Sequence, residues 1–186
     1  AAPAEREADM RRQPGFFEIE GARLEHAWWG PGPDTAPTLV LLHEALGAVS
    51  TWRTFPERLA EKTGLGVLAY AREGHGRSSP GPRPRPLTYL RDEARTLPRV
   101  LDAAGVRACL LVGHSDGASI AALHAAQAPH PALRGLVLLA PHFFVEEVTL
   151  EGIRAAVRAF ERGDLREKLE RHHGPNVDGA FRGWSE

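Results

Sequence analysis

One short motif in the sequence has the residue types and spacing of a catalytic nucleophile. Residues 113–117 are Gly-His-Ser-Asp-Gly, so Ser115 stands two positions from a glycine on either side. An apolar run at residues 110–112 precedes the motif, and a helical pattern begins at Asp116. This order of strand, turn and helix is typical of the sharp turn that presents a nucleophilic serine at the end of a parallel sheet. We therefore interpret Ser115 as a candidate nucleophile.

The spacing of this motif has a steric reason. A turn sharp enough to lift the Ser115 hydroxyl clear of the sheet leaves no room for a side chain at Gly113 or Gly117. The same turn aims the N-terminus of the next helix at the hydroxyl, which favours developing negative charge. His114 and Asp116 flank the serine on this turn. We expect His114 to support the pocket, and we expect neither side chain to join a catalytic triad.

A second segment could stabilise the charge that such a nucleophile creates. The first buried apolar run ends in residues 43–47, His-Glu-Ala-Leu-Gly. A tetrahedral oxyanion needs two pre-aimed donors, and the backbone amides of Ala45 and Asp116 are the candidates, each worth on the order of 3 kcal/mol in the transition state. His43 and Glu44 are expected to line or brace this site. A zinc site is excluded here, because the H-E-x-x-H motif needs a second histidine where the chain has glycine.

The base that Ser115 needs is harder to find. A serine hydroxyl is a weak nucleophile unless a histidine takes its proton and a carboxylate orients that histidine. His142 follows the apolar run at residues 136–139 and is placed beside the expected pocket. Because no buried carboxylate is evident to orient it, we expect His142 to line the pocket rather than to act as the base.

The elements that must position these residues form an alternating pattern. Alternating polarity on either side of Gly21 predicts two antiparallel strands. Short apolar runs, which suit strands buried on both faces, follow at residues 39–42, 67–70, 110–112 and 136–139. Helical patterns lie between and after them, at residues 54–60, 90–101, 116–127, 150–160 and 164–169. Thr54 and Glu57 are expected to form a capping box. The alternation predicts an α/β fold, a mostly parallel sheet with helices on both faces.

The motifs occur in the order found in the α/β-hydrolase superfamily, which the chain resembles. The first is LLHEALG, the second is YAREGHGRS at residues 70–78, and the third is VGHSDGAS. The second is similar to the Asp-x-x-Gly-x-Gly-x-Ser turn of that family, although Ala71 stands in place of the acid. Glu44 and Ala45 stand where a His-Gly-Gly loop is common. The chain looks most like the capped esterases and the meta-cleavage-product (carbon–carbon bond) hydrolases.

This resemblance implies a division of the chain into three parts. Residues 1–15 would be an N-terminal tail, residues 16–142 the N-terminal part of the hydrolase core, and residues 143–186 a partial helical cap. The family carries the acid and histidine of its triad on later strands, so the resemblance implies a C-terminally truncated, incomplete fold. The run at residues 136–139 would then form an exposed sheet edge. Self-association or a complementing chain is expected at that edge.

The resemblance also implies an activity. It is that of a serine hydrolase, without cofactor or metal, that cleaves small, largely apolar carbonyl substrates through an acyl-enzyme. The bond cleaved is either an ester bond or a carbon–carbon bond next to a carbonyl. Two alternatives stay open. The chain could be a non-catalytic fragment or ligand-binding remnant that has the serine turn but no base, or an acyltransferase on the same fold.

The composition excludes several other classes of protein. Lys plus Arg (23) nearly balance Asp plus Glu (24), which argues against a nucleic-acid binder and a polybasic membrane-surface protein. The single cysteine, Cys109, excludes a disulfide framework and a cysteine-based zinc site. No apolar run is long enough to span a bilayer, and residues 1–12 lack the apolar core of a secretory signal. A cytoplasmic protein is therefore expected.

Overall fold

A six-stranded sheet lies at the centre of the computed structural model, which describes residues 13–186. The strands are β1 (Gln13–Ile19), β2 (Ala22–Trp29), β3 (Thr38–Leu42), β4 (Gly66–Tyr70), β5 (Cys109–His114) and β6 (Leu133–Leu139). Their order across the sheet is β1-β2-β4-β3-β5-β6. β1 and β2 are antiparallel, β2 is antiparallel to β4, and the last four strands run parallel. The mostly parallel sheet predicted from the sequence is confirmed.

Helices cover both faces of this sheet. The described residues form six α-helices: α1 (Phe55–Thr63), α2 (Tyr89–Ala103), α3 (Asp116–Gln127), α4 (Glu147–Arg162), α5 (Leu165–His173) and α6 (Val177–Ser185). The apolar stripes of α2 and α3 bury Leu97, Leu101 and Ile120 in one cluster with the sheet. On the opposite face, α1 buries Ala60 in a second cluster. The predicted α/β architecture is therefore confirmed.

The capping box predicted at the start of α1 is wrong. The helix begins there, but the Thr54 side chain makes no capping hydrogen bond. Thr54 has φ −91° and ψ −1°, which is near-helical backbone, whereas a capping residue is normally extended. Pro56, the second residue of the helix, also lacks the amide that such a cap could bond.

The C-terminal part of the chain, the predicted partial cap at residues 143–186, is helical where the structure shows α4, α5 and α6. The sequence analysis did not predict α6, although Val177, Ala180, Phe181 and Trp184 have the helical i, i+3, i+4, i+7 spacing. Gly179 and Gly183 also belong to this helix. Each glycine makes room for an arginine of the proline-rich loop at residues 79–86, between β4 and α2: a methyl at Gly179 would overlap Arg83, and one at Gly183 would lie 2.6 Å from Arg85 Nε.

Two other expectations from the sequence concern the N-terminal tail and the lack of a membrane-spanning segment. Most of the predicted tail, residues 1–12, lies outside the described residues, while residues 13–15 belong to β1. Across residues 13–186, no helix has both the length and the apolar character needed to cross a membrane.

Candidate active site

Ser115 occupies the single residue between β5 and α3. Its backbone has φ 54° and ψ −117°, a conformation that costs a non-glycine residue about 1–3 kcal/mol. The Ser115 amide donates a hydrogen bond to the Leu139 carbonyl (2.8 Å), which ties the turn to the end of β6. The serine therefore sits on a strained turn at the carboxyl edge of the parallel strands.

The two glycines of the motif allow this turn to pack. A methyl group at Gly113 would lie 2.5 Å from the Ala118 Cα atom. A methyl group at Gly117 would overlap the Leu42 carbonyl oxygen and would lie 2.8 Å from the His43 carbonyl oxygen. The first turn of α3 thus rests directly on the end of β3, where residues 43–47 begin.

His142 is the side chain that the structure brings to Ser115. Its Nε2 atom lies 2.6 Å from Ser115 Oγ. Ser119 fixes the backbone of His142 from α3, since its hydroxyl donates to the His142 carbonyl and accepts from the His142 amide, both at 3.0 Å. Within residues 13–186, the Nδ1 atom of His142 makes no hydrogen bond, so no carboxylate orients the ring there. The arrangement is a serine–histidine pair.

The sequence analysis placed His142 in the pocket but not at the serine. The signal that could have found this contact is topological. The carboxyl ends of neighbouring parallel strands meet at one edge of a sheet; Ser115 is the first residue after β5, and His142 is the third after β6. Two residues with complementary chemistry at such positions are neighbours whatever their separation along the chain.

The two amides expected to stabilise an oxyanion are both free to donate. Neither the Ala45 nor the Asp116 backbone amide donates a hydrogen bond to any residue that the structure describes. The packing of Gly117 on the carbonyls of Leu42 and His43 brings the start of α3 beside the loop that carries Ala45. A free amide at the first position of a helix also carries the positive end of the helix dipole.

The Asp116 side chain is hydrogen-bonded to α2 rather than to the serine–histidine pair. It accepts a short hydrogen bond from the hydroxyl of Tyr89, the first residue of α2. Burial raises the pKa of Tyr89, so its phenol stays protonated and keeps donating. The sequence analysis did not identify Tyr89, because a tyrosine at a helix start has no sequence signature of such a role. His114 ends β5 on the other side of Ser115 and is exposed.

The loop at residues 43–47 is held by buried side chains that bind its carbonyl groups. Three histidines place ring nitrogens within 3.0 Å of three successive carbonyl oxygens: His43 on Glu44, His75 on Ala45 and His173 on Leu46. Burial lowers the pKa of each of the three histidines, so the rings are neutral near pH 7. The loop carrying the Ala45 amide is therefore fixed from the β4 side and from α5.

Glu44 is the unusual residue of this loop. Burial raises the pKa of its carboxyl group, and its Oε2 atom is buried without a hydrogen-bond partner among the described residues. A methyl at Gly47 would lie 2.9 Å from the Glu44 Cδ atom, so the glycine leaves room for this side chain. Glu44 thus packs back onto its own loop and braces it.

An apolar cavity of about 350 Å³ opens beside His142 and Asp116. Most of its wall comes from α2, α4, α6 and their flanking loops, through Leu90, Val145, Leu150, Ile153 and Trp184. We call this cavity the apolar pocket. Its size and lining suit a small organic molecule with a hydrophobic body. Among residues 13–186, no cluster of three side chains could hold a metal ion.

Comparisons with known proteins concern the family and the fold of the chain. A family model described as "Alpha/beta hydrolase family" matches residues 39–186. The dihydrolipoyllysine-residue acetyltransferase component of an acetoin cleaving system from Cupriavidus necator is 31% identical over 155 residues, which is 83% of this chain and 39% of that protein. An sn-1-specific diacylglycerol lipase of Mus musculus is 32% identical over 98 residues, 53% of this chain and 31% of the lipase. The chain thus spans less than half the length of either relative.

A solved structure gives the same result for the fold. A carboxylesterase of Nitrososphaera gargenis superposes with a TM-score of 0.65 and 25% identity. The superposition covers 83% of this chain and 57% of the carboxylesterase. The similarity therefore includes most of the sheet and the helices described above.

Proposed function

The chain belongs to the alpha/beta hydrolase family, and on that premise we propose that it is a serine hydrolase of small, largely apolar carbonyl compounds. The observation that carries the proposal is the 2.6 Å contact between Ser115 Oγ and His142 Nε2 beside the apolar pocket. A hydroxyl within hydrogen-bond reach of an imidazole is the minimal unit of nucleophilic acyl transfer.

The proposed reaction begins with attack of Ser115 Oγ on the substrate carbonyl carbon. His142, with its own proton on Nδ1, takes the hydroxyl proton at Nε2 as the bond forms. The carbonyl oxygen becomes an oxyanion and receives hydrogen bonds from the Ala45 and Asp116 amides. When the oxyanion collapses, the bond to the leaving group breaks and His142 returns the proton to that group. The acyl group remains as an ester of Ser115.

Hydrolysis of this ester completes the cycle by the same steps. Water attacks the acyl carbon while His142 takes one of its protons. The second tetrahedral oxyanion collapses, Ser115 Oγ leaves with the proton from His142, and a carboxylic acid is released. Apart from water and substrate, no further reactant is consumed.

The apolar pocket supports the substrate class. Its wall is mostly aliphatic and aromatic, and two of its polar residues, Asp116 and His142, belong to the serine turn and to the serine–histidine pair. Such a pocket favours a hydrophobic acyl or alkyl group next to the carbonyl. The relatives whose names include carboxylesterase and lipase act on ester bonds, and an ester is the substrate we favour.

Acyl transfer to an acceptor other than water is the second candidate. It is supported by the Cupriavidus necator relative, whose name is that of an acetyltransferase component. Both reactions share the acyl-enzyme on Ser115 and differ only in what attacks it. An added alcohol or thiol that captures the acyl group in preference to water would favour the transferase.

The proposal is tested with a fluorophosphonate probe, which labels activated serines. We expect the wild-type chain to be labelled on Ser115 and Ser115→Ala to be unlabelled. His142→Gln should slow labelling by about 10²-fold or more, as loss of a general base does. His130→Gln is the matched control. His130 precedes β6, at the amino ends of the parallel strands, and bonds Asp102 there, so its replacement should leave the rate unchanged.

Each contrary result has a distinct meaning. A folded wild-type chain that is never labelled would favour the ligand-binding remnant over the hydrolase. Rapid labelling that survives in His142→Gln would show that the proton acceptor is a group other than His142.

A further inference from the structure

We propose that Arg72 is a positioning residue for the oxyanion site, an inference that rests on the proposed function. Arg72 follows β4 and is 1% exposed. Within the part of the chain that the structure describes, its guanidinium forms no ion pair with a carboxylate and instead binds backbone carbonyls. A buried charge without an ion-pair partner is costly, so these bonds need an explanation beyond packing.

The contacts of Arg72 reach two successive peptide groups of the loop, 43–44 and 44–45. Nη1 donates to the His43 carbonyl at 2.7 Å, and Nη2 donates to the Glu44 carbonyl at 3.0 Å. The Arg72 backbone amide also donates to His43 Nε2 at 3.1 Å, which leaves His43 Nδ1 to donate to the same Glu44 carbonyl at 2.7 Å. The Glu44 oxygen therefore accepts two side-chain hydrogen bonds, one of them from a charged group.

The Glu44 carbonyl and the Ala45 amide are the two ends of a single planar peptide unit. In a trans peptide the C=O and N–H bonds point in opposite directions, so fixing the carbonyl fixes the direction of the amide. Arg72 and His43 hold the oxygen from behind the loop. The Ala45 N–H consequently points to the other side, where it is free to donate.

The same contacts strengthen the Ala45 amide as a donor. Hydrogen bonds to a peptide carbonyl polarise the whole unit, which makes its N–H a better donor, and bonds from a charged group do so more strongly. Because Arg72 is buried, solvent and salt screen its charge poorly. Arg72 thereby acts on the oxyanion through the 44–45 peptide without touching the substrate.

This role differs from simple bracing in what it affects. A positioning residue for the oxyanion site changes the binding of the tetrahedral state and leaves ground-state binding in the apolar pocket almost unchanged. A residue that only holds the fold affects both equally, or neither.

The experiment compares, on the full chain, two ketones that carry the same alkyl chain. Ser115 Oγ adds to the carbonyl carbon of an alkyl trifluoromethyl ketone and gives a tetrahedral oxyanion, whereas the matching alkyl methyl ketone binds without bond formation. Both affinities are measured for wild type, Arg72→Met and Arg72→Lys. Arg77→Met is the control, because Arg77 lies five residues further along and pairs with Glu25 rather than with the oxyanion loop.

For Arg72→Met we expect the trifluoromethyl ketone affinity to fall about tenfold or more, less than the loss on deleting an oxyanion donor outright. The methyl ketone affinity should stay within about twofold, and the control should match wild type in both. Arg72→Lys retains the charge but cannot bond both carbonyls as the guanidinium does, so we expect a smaller loss of trifluoromethyl ketone affinity than for Arg72→Met. If Arg72→Met does not fold, Arg72→Lys alone tests the inference.

Three results would overturn the inference. Parallel losses of both affinities would assign Arg72 to the fold alone, and unchanged affinities would remove any role. A wild-type chain that binds the trifluoromethyl ketone no more tightly than the methyl ketone would contradict the proposed function itself, which distinguishes that failure from the other two.

Discussion

Ser115 keeps its strained backbone conformation because its neighbours on both sides are packed too closely to let the turn relax. Gly113 rests against the start of α3, and Gly117 rests against the end of β3. The strain of about 1–3 kcal/mol is offset by this packing and by the hydrogen bond from the Ser115 amide to Leu139. The exposed position of the hydroxyl is thus maintained by residues that carry no side chain.

Replacing Gly117 with alanine should break this arrangement. The added methyl group overlaps the Leu42 carbonyl oxygen, so β3 or α3 must move. We expect Gly117→Ala to lower the free energy of unfolding by about 3 kcal/mol, as overpacking does, and to abolish fluorophosphonate labelling. Urea denaturation measures the first effect. Gly152→Ala, in α4 with open space around it, should instead be neutral or stabilise by about 0.5–1 kcal/mol.

Glu93 gives the structure a pH-dependent term in its stability. It lies on α2 beside a small cavity of about 160 Å³ that it shares with Arg85 and Tyr89. Burial raises the pKa of Glu93 to about 7 from its usual 4.5. The folded state therefore favours the protonated form, so this contribution is complete below pH 4.5 and is lost as the pH rises through 7.

The Glu93→Gln variant separates this contribution from that of the buried histidines. Because the pKa values of these histidines are lowered, they reduce the stability of the folded state as the pH falls below 6.5, which is the opposite pH dependence. When the pH is raised from 5 to 8, we expect the free energy of unfolding of the variant to increase by about 2 kcal/mol relative to that of wild type. Urea unfolding at both pH values measures the gain. The exposed Glu151→Gln substitution should show no such change. If the difference in free energy of unfolding between Glu93→Gln and wild type is the same at pH 5 and pH 8, the expectation is contradicted.

At the scale of elements, local patterns in the sequence predict most of the fold. Three of the four apolar runs became the largely buried parallel strands β3, β4 and β5, because a strand covered on both faces can be apolar without alternation. The fourth run became β6, a parallel strand that stays partly exposed at the edge of the sheet. One buried face of α2 is similarly predicted by the apolar residues Leu90, Ala94, Leu97 and Leu101, which stand four, three and four positions apart. One helix is missed by the sequence analysis: α6 has an apolar face at helical spacing, but glycine at two of its nine positions lowers its helix propensity.

The contacts that make the candidate site are less predictable from sequence. The turn at Ser115 has a local sequence signature, because the close packing of the backbone requires glycine at positions 113 and 117. The His142 contact and the bonds from Arg72 to the oxyanion loop join residues 27 to 29 positions apart. Such contacts depend on which strands become neighbours, and this information is not present in any single segment.

The contact of α5 with the oxyanion loop is a junction between two elements and can be tested as one. His173, at the end of α5, accepts a hydrogen bond from the Gly76 amide (3.0 Å) and donates one to the Leu46 carbonyl (2.9 Å). We expect His173→Ala to lower the free energy of unfolding by about 2 kcal/mol, because both buried partners lose their bonds. It should also speed tryptic cleavage within residues 147–186.

The neighbouring histidine provides the control for this junction. Among the residues that the structure describes, His172 bonds only the exposed Ser50 hydroxyl, so His172→Ala should change stability by about 0.5 kcal/mol or less and leave cleavage unchanged. Equal cleavage rates for both variants would mean that α5 is held to the loop by contacts other than His173.

At the scale of the whole molecule, the sheet has one edge that is apolar. β6 lies at one end of the strand order, and Leu136, Val137 and Leu139 are 36%, 44% and 43% exposed. Phe143 and Phe144 extend this surface beyond the strand. A long apolar edge strand with unpaired backbone groups is a template for pairing with another strand.

We therefore expect the chain to associate with a second copy through β6. Sedimentation velocity at increasing protein concentration should show a growing fraction of dimers or larger species. Val137→Lys places a charge on this edge, as natural edge strands often do, and should return the chain to a monomer without loss of helical circular dichroism.

The control for this last prediction must add the same charge elsewhere, because a change in net charge alone alters association. Phe55 suits this purpose, since it is 42% exposed at the start of α1, a helix that packs on β4 and β2. Phe55→Lys should associate as wild type does. If both variants become monomeric, then the effect comes from net charge; if wild type is already monomeric at all concentrations, then the β6 edge does not self-associate, despite its exposed apolar side chains.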